Sequence, residues 1–411
     1  MSAQKRGVPD VVVFGLYETG LGVARSLRAA GLRVLGVDSR KDVGWYSRDV
    51  QPVLCPHPQR DRRAFLEWVG ATIEPIHGAY PAFITGDNFL YPISAAREEL
   101  SAQLLLNLPS EALLAAISDK LSQAELAASV GIEVPRTVAV TGKGDLERAA
   151  AALQLPVFLK GLEVNRWRSV MGGSLKGFVV RGPDEFIRAG GALMEKAVPF
   201  IAQELVPGPE SSHLKYCAYV SAAGDTLAEF TLRKIRQYPE GFGVGAIVES
   251  FSDDELVRVG RHLFAGIGYR GTGSAEFKRD ERDGKLKLIE LNPRYWQQNY
   301  LATACGVNFP WIQYCDMLGL PISEHRQQAV GVRWISRSLD LNVLRERQER
   351  GTLTLRGWLR ERKRPRVFAD FSWRDPLPGL HMYRFGRSFL KVPIVMFLSL
   401  RRRLQRAPNR S

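Results

Sequence analysis

Apolar and polar positions follow one another in the order strand, helix, strand near the start of the chain. Residues 10–14 are almost entirely apolar, which is typical of a buried strand. A glycine-rich stretch from Gly15 opens a helix that continues to about Ala30, and Gly31 ends it. Residues 33–38 predict a second strand. This order predicts the first β-α-β unit of a doubly wound parallel sheet, and hence an α/β fold.

Apolar runs farther along the chain predict another strand of this sheet and then several short elements. The strand covers residues 81–88 and ends in polar residues, at the edge where such sheets bind small ligands. The short elements are a helix over 121–130 and strands over 155–161, 178–181 and 200–206. A Pro-Gly pair breaks the last of these strands, just before Glu210.

Residues 271–294 predict a β-hairpin with a polar turn at Asp283-Gly284. Glu276 and Glu290 lie one on each strand, and Asn292 shares a face with Glu290 because it follows two positions later. A two-residue turn would send the two glutamates to opposite faces, whereas a three- or five-residue loop, or one bulge, would place them opposite each other. Facing carboxylates would suit a shared divalent cation, and two solvated surface glutamates are the alternative.

A lone lysine and two glycine-rich stretches are candidate phosphate contacts. Lys160 is the one cation in the strand over 155–161, where it would need an anionic partner unless it reaches solvent from the strand edge. The loop 172–177 could lay backbone N–H groups on phosphates, although its residues are also typical of ordinary turns. The glycines after the first strand depart from the dinucleotide spacing, so a nicotinamide site is disfavoured.

Length and composition indicate a globular protein with more than one domain. The chain has 411 residues, 45% of them hydrophobic, so we expect about two to four domains. Its four cysteines follow neither a metal-binding nor a disulfide spacing and are expected to be reduced. No apolar run reaches the ~20 residues of a spanning helix, and the first residues lack a signal peptide's apolar region, so the expected location is cytoplasmic.

The positive charge is concentrated at the C-terminal end. Residues 331–411 contain 20 Lys+Arg and 6 Asp+Glu, so they carry the whole net charge of +14. An apolar patch at 392–400, flanked by arginines, is too short to span a bilayer but suits its interface. Residues 383–411 therefore predict peripheral attachment to an anionic membrane at its inner face. A terminal helix packed on the body is the alternative, and nucleic acid is disfavoured because the aromatic residues follow no nucleic-acid-binding pattern.

Several of these features occur in a fixed order that resembles the ATP-grasp superfamily. The resemblance is strongest to its carboxylate–amine ligases, relatives of D-alanine–D-alanine ligase and biotin carboxylase. It covers roughly residues 1–320 and is tightest over 156–161, 203–210 and 273–294. The resemblance implies a mixed α/β and α+β architecture: a Rossmann-like domain (1–116), a lid subdomain (117–203), a C-terminal α+β domain with the metal site (204–325) and a basic extension (326–411).

The resemblance also implies which residues bind ATP, between the lid and the C-terminal domain. Those residues are Lys120, Lys160, Gly172, Gly173, Ser174, Gln203, Glu204, Leu205, Val206 and Glu210. The two lysines would hold phosphates, backbone groups at Glu204 and Val206 would contact adenine, and Glu210 would bind the ribose hydroxyls.

The remaining implied roles concern the metal and the reacting groups. Glu276, Glu290 and Asn292 would ligate one or two Mg²⁺ ions, for which Mn²⁺ could substitute. Arg294 would stabilise the transferring phosphoryl group. One of three cations at a basic strand end would hold the acyl phosphate, unless that stretch is a solvated loop; these cations are Arg233, Lys234 and Arg236.

The implied activity joins a small-molecule carboxylate to an amine at the expense of ATP. A carboxylate oxygen would attack the γ-phosphate, and the amine would then attack the acyl phosphate. Because an anion attacking an anion is slow unless cations neutralise the developing charge, Mg²⁺, lysines and an arginine are the groups this chemistry needs. The alternative is a non-catalytic nucleotide-binding protein of the same fold, attached to a membrane or partner by its basic C-terminal segment.

Overall fold

The computed structural model describes residues 8–74, 78–162, 167, 170–171, 177–241, 243–322, 327–361 and 364–385. These residues form two units. The larger unit takes its residues from segments 1–114, 214–274 and 292–411, and the smaller unit from 115–213 and 275–291. The four-part division expected from the sequence stays a prediction, although its first boundary lies close to the first change of unit.

A five-stranded parallel sheet forms the N-terminal part of the larger unit, as the β-α-β pattern predicts. Its strands are β1 (Val11–Phe14), β2 (Val34–Asp38), β3 (Val50–Leu54), β4 (Tyr80–Ile84) and β5 (Leu104–Leu105), in the order β3-β2-β1-β4-β5. The helices that follow them are α1 (Glu18–Ala29), α2 (Arg62–Thr72), α3 (Asp87–Ser94) and α4 (Glu111–Ser118). Each pair of neighbouring strands is parallel, so the α/β prediction is confirmed.

Close packing accounts for the glycines between β1 and α1. Gly15 has a φ of +89°, and a Cβ there would lie 2.7 Å from Thr85 Oγ1. A Cβ on Gly20 would lie 1.8 Å from the Gly15 carbonyl oxygen. Thr85 Oγ1 contacts the carbonyl oxygens of Phe14 and Gly15, each at 2.9 Å, which fixes the turn. The glycines are therefore required by the turn itself.

An antiparallel four-stranded sheet forms most of the smaller unit. Its strands are β6 (Thr137–Val140), β7 (Val157–Gly161), β8 (Phe178–Val180) and β9 (Phe200–Glu204), in the order β6-β9-β7-β8. Its helices are α5 (Lys120–Ser129), α6 (Lys143–Ala152) and α7 (Pro183–Glu195). Side chains from the sheet and from α6 and α7, among them Leu159, Leu146 and Phe186, form one apolar core.

A seven-stranded sheet contains the later strands. They are β10 (His213–Val220), β11 (Thr226–Tyr238), β12 (Val244–Ser250), β13 (Gly271–Arg279), β14 (Leu286–Asn292), β15 (Arg333–Ile335) and β16 (Arg366–Phe368). Their order is β14-β13-β10-β11-β12-β15-β16. The helices are α8 (Asp254–Gly266), α9 (Asn299–Ala304), α10 (Phe309–Met317), α11 (Arg337–Glu349), α12 (Leu355–Glu361) and α13 (Leu377–Phe385).

The described part of the basic C-terminal region is integrated into the larger unit. Strands β15 and β16 continue the sheet beyond β12, with β15 antiparallel to β12 and parallel to β16. Arg25 in α1 forms a buried ion pair with Asp375 at 3.0 Å, and Ser47 Oγ donates to the same carboxylate at 2.7 Å. Arg337 pairs with Asp370 at 2.8 Å. One of these ion pairs joins the described part of the C-terminal region to α1, and the other lies within that region.

Candidate active site

A small open cleft lies within the smaller unit. It is lined by α5, β7, β9 and β14 and by the chain just before β6. Six of its lining residues are Lys120, Gln123, Pro135, Lys160, Gln203 and Leu288. Three residues that the sequence assigned to ATP, Lys120, Lys160 and Gln203, therefore come together in one cleft.

The hairpin that carries the two glutamates has a four-residue loop. The Asp280 N–H donates to the Lys285 carbonyl at 2.9 Å, which pairs these two residues across residues 281–284. The Asp280 carboxylate is fully buried and accepts hydrogen bonds from Arg282 and Lys287. The hydrogen bond from Arg282, joined by that from Lys287, holds the pKa of this carboxyl well below its usual range despite desolvation. Asp283-Gly284 is thus part of a longer loop and not a two-residue turn.

The alternation of buried and partly exposed side chains along strand β14 is shifted by one residue before Glu290. Leu288 and Leu291 are both buried although they are three positions apart, and Ile289 and Glu290 between them are both partly exposed. The backbone N–H groups show the same one-residue shift, because those of Leu288 and Leu291 both point away from β13. The first donates to the Glu133 carbonyl at 2.8 Å and the second to Gln123 Oε1 at 3.1 Å. In a regular strand, amides three apart face opposite edges, so we infer a β-bulge between these leucines.

The bulge changes the partner of Glu276. The four-residue loop alone would pair Glu276 with Ile289, and one extra residue on β14 moves Glu290 into that place. The electrostatics agree, since the negative charge of Glu276 acts to raise the pKa of Glu290, as expected for neighbouring carboxylates. Asn292 is the last residue of β14, two positions after Glu290.

Two lysines stabilise the Glu290 carboxylate. Lys120 Nζ lies 2.6 Å from Glu290 Oε1, and the two side chains are 31% and 40% exposed. Desolvation and the neighbouring Glu276 oppose ionisation of Glu290, but the positive charges of Lys120 and Lys160 outweigh them and lower its pKa. Glu290 is therefore ionised at neutral pH and is available to a cation.

The end of strand β9 carries the residues assigned to the adenine and ribose. The Glu204 N–H donates to the Arg136 carbonyl at 2.9 Å, and its buried carboxylate accepts from the Gln154 N–H at 2.8 Å. The Leu205 N–H donates to the Pro156 carbonyl at 3.0 Å. Val206 is buried, and Glu210 lies in a short 3₁₀ turn. These bonds fix the backbone that follows the strand.

The chain is similar to a curated ligase in sequence and to solved structures in fold. A D-aspartate ligase from Enterococcus faecium is 25% identical to the chain over 238 residues, which is 56% of each protein. The chain thus spans about half the length of this curated relative, and no family model matches it. The N5-carboxyaminoimidazole ribonucleotide synthetase of Thermus thermophilus superposes with a TM-score of 0.59 at 17% identity, covering 79% of this chain and 81% of that one. The chain has the ATP-grasp fold.

A biotin carboxylase domain from Hydrogenobacter thermophilus shows the same ATP-grasp likeness. It superposes with a TM-score of 0.59 at 14% identity, covering 79% of this chain and 73% of that one. The fold predicted from the sequence is therefore confirmed. The roles of individual residues stay predictions, because the similarity at these identities concerns the backbone arrangement.

Three arginines expected in the ATP-grasp site form ion pairs with carboxylates of the larger unit. Arg294 binds Asp87 through two hydrogen bonds, of 2.7 and 3.0 Å. Arg236 is 2% exposed and pairs with Asp340 at 3.0 Å, while Arg233 pairs with Glu249 at 2.7 Å. Arg233, Lys234 and Arg236 all lie within β11, which continues to Tyr238, so the expected strand end at these residues is wrong. Its neighbours across the sheet, β10 and β12, supply cross-strand pairing that the sequence did not reveal.

Gly172, Gly173 and Ser174, the expected lid-loop residues, lie outside the described residues.

Sequence reasoning missed Gln123, which supports the bulge. Its Nε2 donates to the carbonyls of Ile117 at 2.9 Å and Leu291 at 3.0 Å, and its Oε1 accepts from the Leu291 N–H. Its amide thus bonds α5 to the strand next to Glu290. The available signal was a polar residue three positions after Lys120 in the predicted helix.

Proposed function

We propose that the protein is an ATP- and Mg²⁺-dependent carboxylate–amine ligase that activates a carboxylate as an acyl phosphate. The observation that carries this proposal is that Lys120 and Lys160 line one cleft and that both act on the neighbouring Glu290 carboxylate, which Glu276 also approaches. The ATP-grasp fold and the ligase name of the curated relative support it. One structural neighbour was solved with magnesium ADP and bicarbonate.

The donor set fits a nucleotide and a divalent cation. Carboxylate and amide oxygens are ligands that Mg²⁺ prefers, so Glu276, Glu290 and Asn292 would hold it. Lys120 and Lys160 would hold phosphate oxygens, and Glu210 the ribose. When bound, ATP supplies the phosphoryl group and Mg²⁺ neutralises charge on it.

The Lys120–Glu290 ion pair is suited to an exchange of partners. Both side chains are partly exposed, and such pairs contribute only about 0–1 kcal/mol to stability. Replacing the pair by lysine–phosphate and carboxylate–metal contacts therefore costs little. In this proposal the pair holds opposite charges in place while no nucleotide is bound.

Steady-state ADP release tests the proposed activity. Purified protein is incubated with ATP and Mg²⁺, with and without D-aspartate or other carboxylic acids, each with and without an amine. We expect ADP release that requires both the acid and the amine, and a decrease of about 100-fold or more in Glu290→Gln. Glu133→Gln is the matched control, because Glu133 also pairs with a lysine at 2.6 Å but on the surface. ADP release that no acid stimulates would contradict the proposal.

We also propose that this ligase is cytoplasmic and attaches peripherally to an anionic membrane. Residues 383–411 supply the charge, with basic residues on both sides of the apolar 392–400 stretch. The described chain adds an exposed apolar surface just before them, since Trp373 is 90% exposed and Leu377 and Leu380 are more than half exposed. Tryptophan and leucine beside arginines are typical of the membrane interface. Among the described residues, no helix has the length and hydropathy needed to cross a bilayer.

Vesicle co-sedimentation tests the attachment. Binding is expected to require anionic lipid, to fall as salt rises, and to be lost when residues 383–411 are deleted. Trp373→Ser should weaken binding while leaving ATP affinity unchanged. Equal recovery with neutral and anionic vesicles would support the alternative, a terminal segment packed on the protein body.

A further inference from the structure

A hydrogen-bond relay fixes the side-chain amide of Gln203. Thr137 Oγ1 lies 3.0 Å from the Pro135 carbonyl oxygen and 2.9 Å from Gln203 Nε2. A carbonyl only accepts, so the single hydroxyl proton of Thr137 is directed to Pro135. The hydroxyl oxygen must then accept from Gln203, which requires the NH₂ group of the amide on this side. The amide oxygen, Oε1, is consequently on the other side.

The surrounding strands hold this orientation. Thr137 in β6 is directly opposite Gln203 in β9, and Phe158 in β7 is opposite Gln203 on the other edge of β9. Gln203 lines the cleft together with Lys160 and Ile201. Among the described residues, Oε1 of Gln203 accepts no hydrogen bond. The relay therefore presents a fixed acceptor to the cleft.

We propose that Gln203 selects the purine base of the nucleotide. Its oriented Oε1 would accept from the exocyclic amino group of adenine. The 6-oxo group of guanine or hypoxanthine is itself an acceptor and would face that oxygen without a proton between them. Thr137 is the positioning residue, because it decides which end of the amide faces the base. The proposal rests on the proposed ATP site and adds to it the chemical basis of nucleotide choice.

Titration calorimetry with ATP, ITP and GTP tests this assignment. In Thr137→Val the amide is free to rotate, so the ratio of ATP affinity to ITP affinity is expected to fall by about 5- to 100-fold, with ITP binding improved. Gln203→Met removes the acceptor and should lower the same ratio, through weaker ATP binding alone. Thr137→Ser keeps the hydroxyl and should retain the ratio of the parent protein. Thermal melts show whether each variant is folded.

The outcomes separate this proposal from the one on which it rests. If Thr137→Val and Gln203→Met weaken ATP and ITP equally, Gln203 has only a structural role and the proposal is wrong. The same holds if Thr137→Ser loses selectivity as fully as Thr137→Val. If the parent protein binds none of the three nucleotides, both the ATP site and the selection by Gln203 are wrong.

Discussion

Lys160 is a cation on a strand whose alternate side chains are buried. It lies in the cleft near Glu290, and its charge helps to keep that carboxylate ionised. An ammonium group in this position has anionic partners in the protein and would gain others from a phosphate. Its contribution to binding is therefore expected to exceed that of a surface lysine.

Removing this ammonium tests its role. Lys160→Ala is expected to weaken ATP binding by about 2–5 kcal/mol, as truncation of one partner of a buried charge pair does. Calorimetric titration with ATP measures the effect. Lys285→Ala is the matched control, because Lys285 pairs with Glu133 at an exposed position, and its ATP affinity should equal that of the parent protein. Equal affinities in the two variants would remove Lys160 from the site.

Glu18 is a second residue whose environment has a measurable consequence. Desolvation, with the nearby Asp370, raises its pKa to about 7 against the hydrogen bonds from Gln297 and Ser336. Between pH 4.5 and 7 the folded protein therefore binds a proton that the unfolded chain has released.

The stability of the protein should depend on pH through Glu18. Because the proton is held more tightly in the folded state, the free energy of unfolding should decrease as pH rises from about 4.5 to 7, by up to about 3 kcal/mol. Glu18→Gln should remove this part of the slope. Denaturant unfolding at several pH values measures it, and parallel slopes in the two proteins would contradict the assignment.

At the scale of elements, the hairpin shows what the sequence could and could not predict. Its two strands, the positions of Glu276 and Glu290 and the need for an odd loop or a bulge all follow from residue spacing. The bulge itself depends on Gln123, 168 positions before Leu291 along the chain. A contact between residues so far apart leaves no local pattern. Asp283-Gly284 predicted a two-residue turn. The structure has a four-residue loop instead, because the buried Asp280 carboxylate bonds Arg282 and Lys287 and stabilises the longer loop.

Gln123 is expected to affect both stability and metal binding, because its side-chain amide bonds the residue next to Glu290. Gln123→Leu leaves the N–H and carbonyl of Leu291 without these partners, at about 1–3 kcal/mol for each unsatisfied group. We expect lower thermal stability and weaker Mg²⁺-dependent ATP binding, since Glu290 is the preceding residue. Ser129→Ala in the same helix is the control, because its hydroxyl bonds only the Leu126 carbonyl at the surface. Unchanged metal dependence would show that the bulge does not need Gln123.

At the scale of the whole molecule, the β-α-β pattern predicted the parallel sheet. The net charge, in contrast, did not reveal that part of the C-terminal region is folded into the larger unit. Composition counts Arg333, Arg337 and Arg364 as basic excess, but it cannot show that each has a carboxylate partner. Glu249 in β12 pairs with Arg333 and Arg364, and Asp370 pairs with Arg337 from 33 positions away. Only the three-dimensional structure reveals that two strands within residues 333–368, β15 and β16, complete a sheet.

Two truncations test which part of the C-terminal region the folded larger unit needs. Deleting residues 386–411 should leave a protein that melts as cooperatively as the parent. Deleting 327–411 removes two strands and leaves Arg25 buried without Asp375, so we expect an insoluble product.

Asp375→Ala alone should lower the free energy of unfolding by about 3–5 kcal/mol. Asp10→Ala, which breaks an exposed pair with Arg33, should lower it by no more than about 1 kcal/mol. Circular dichroism melts of the 386–411 deletion, Asp375→Ala and Asp10→Ala measure these differences, and the soluble fraction after expression tests the 327–411 deletion.

The origin of the larger unit in three chain segments has a consequence for biosynthesis. Most of the smaller unit is one continuous stretch, 115–213. Strands β15 and β16, in contrast, belong to the third segment of the larger unit, which leaves the ribosome after the other two. Until they emerge, the edge of β12 has no strand beside it, and a bare edge is a template for aggregation. The larger unit therefore completes its sheet only after β15 and β16 have been synthesised. A chain ended before β15 by a premature stop codon would expose that edge permanently and would be a substrate for chaperones and proteases rather than a shortened folded protein.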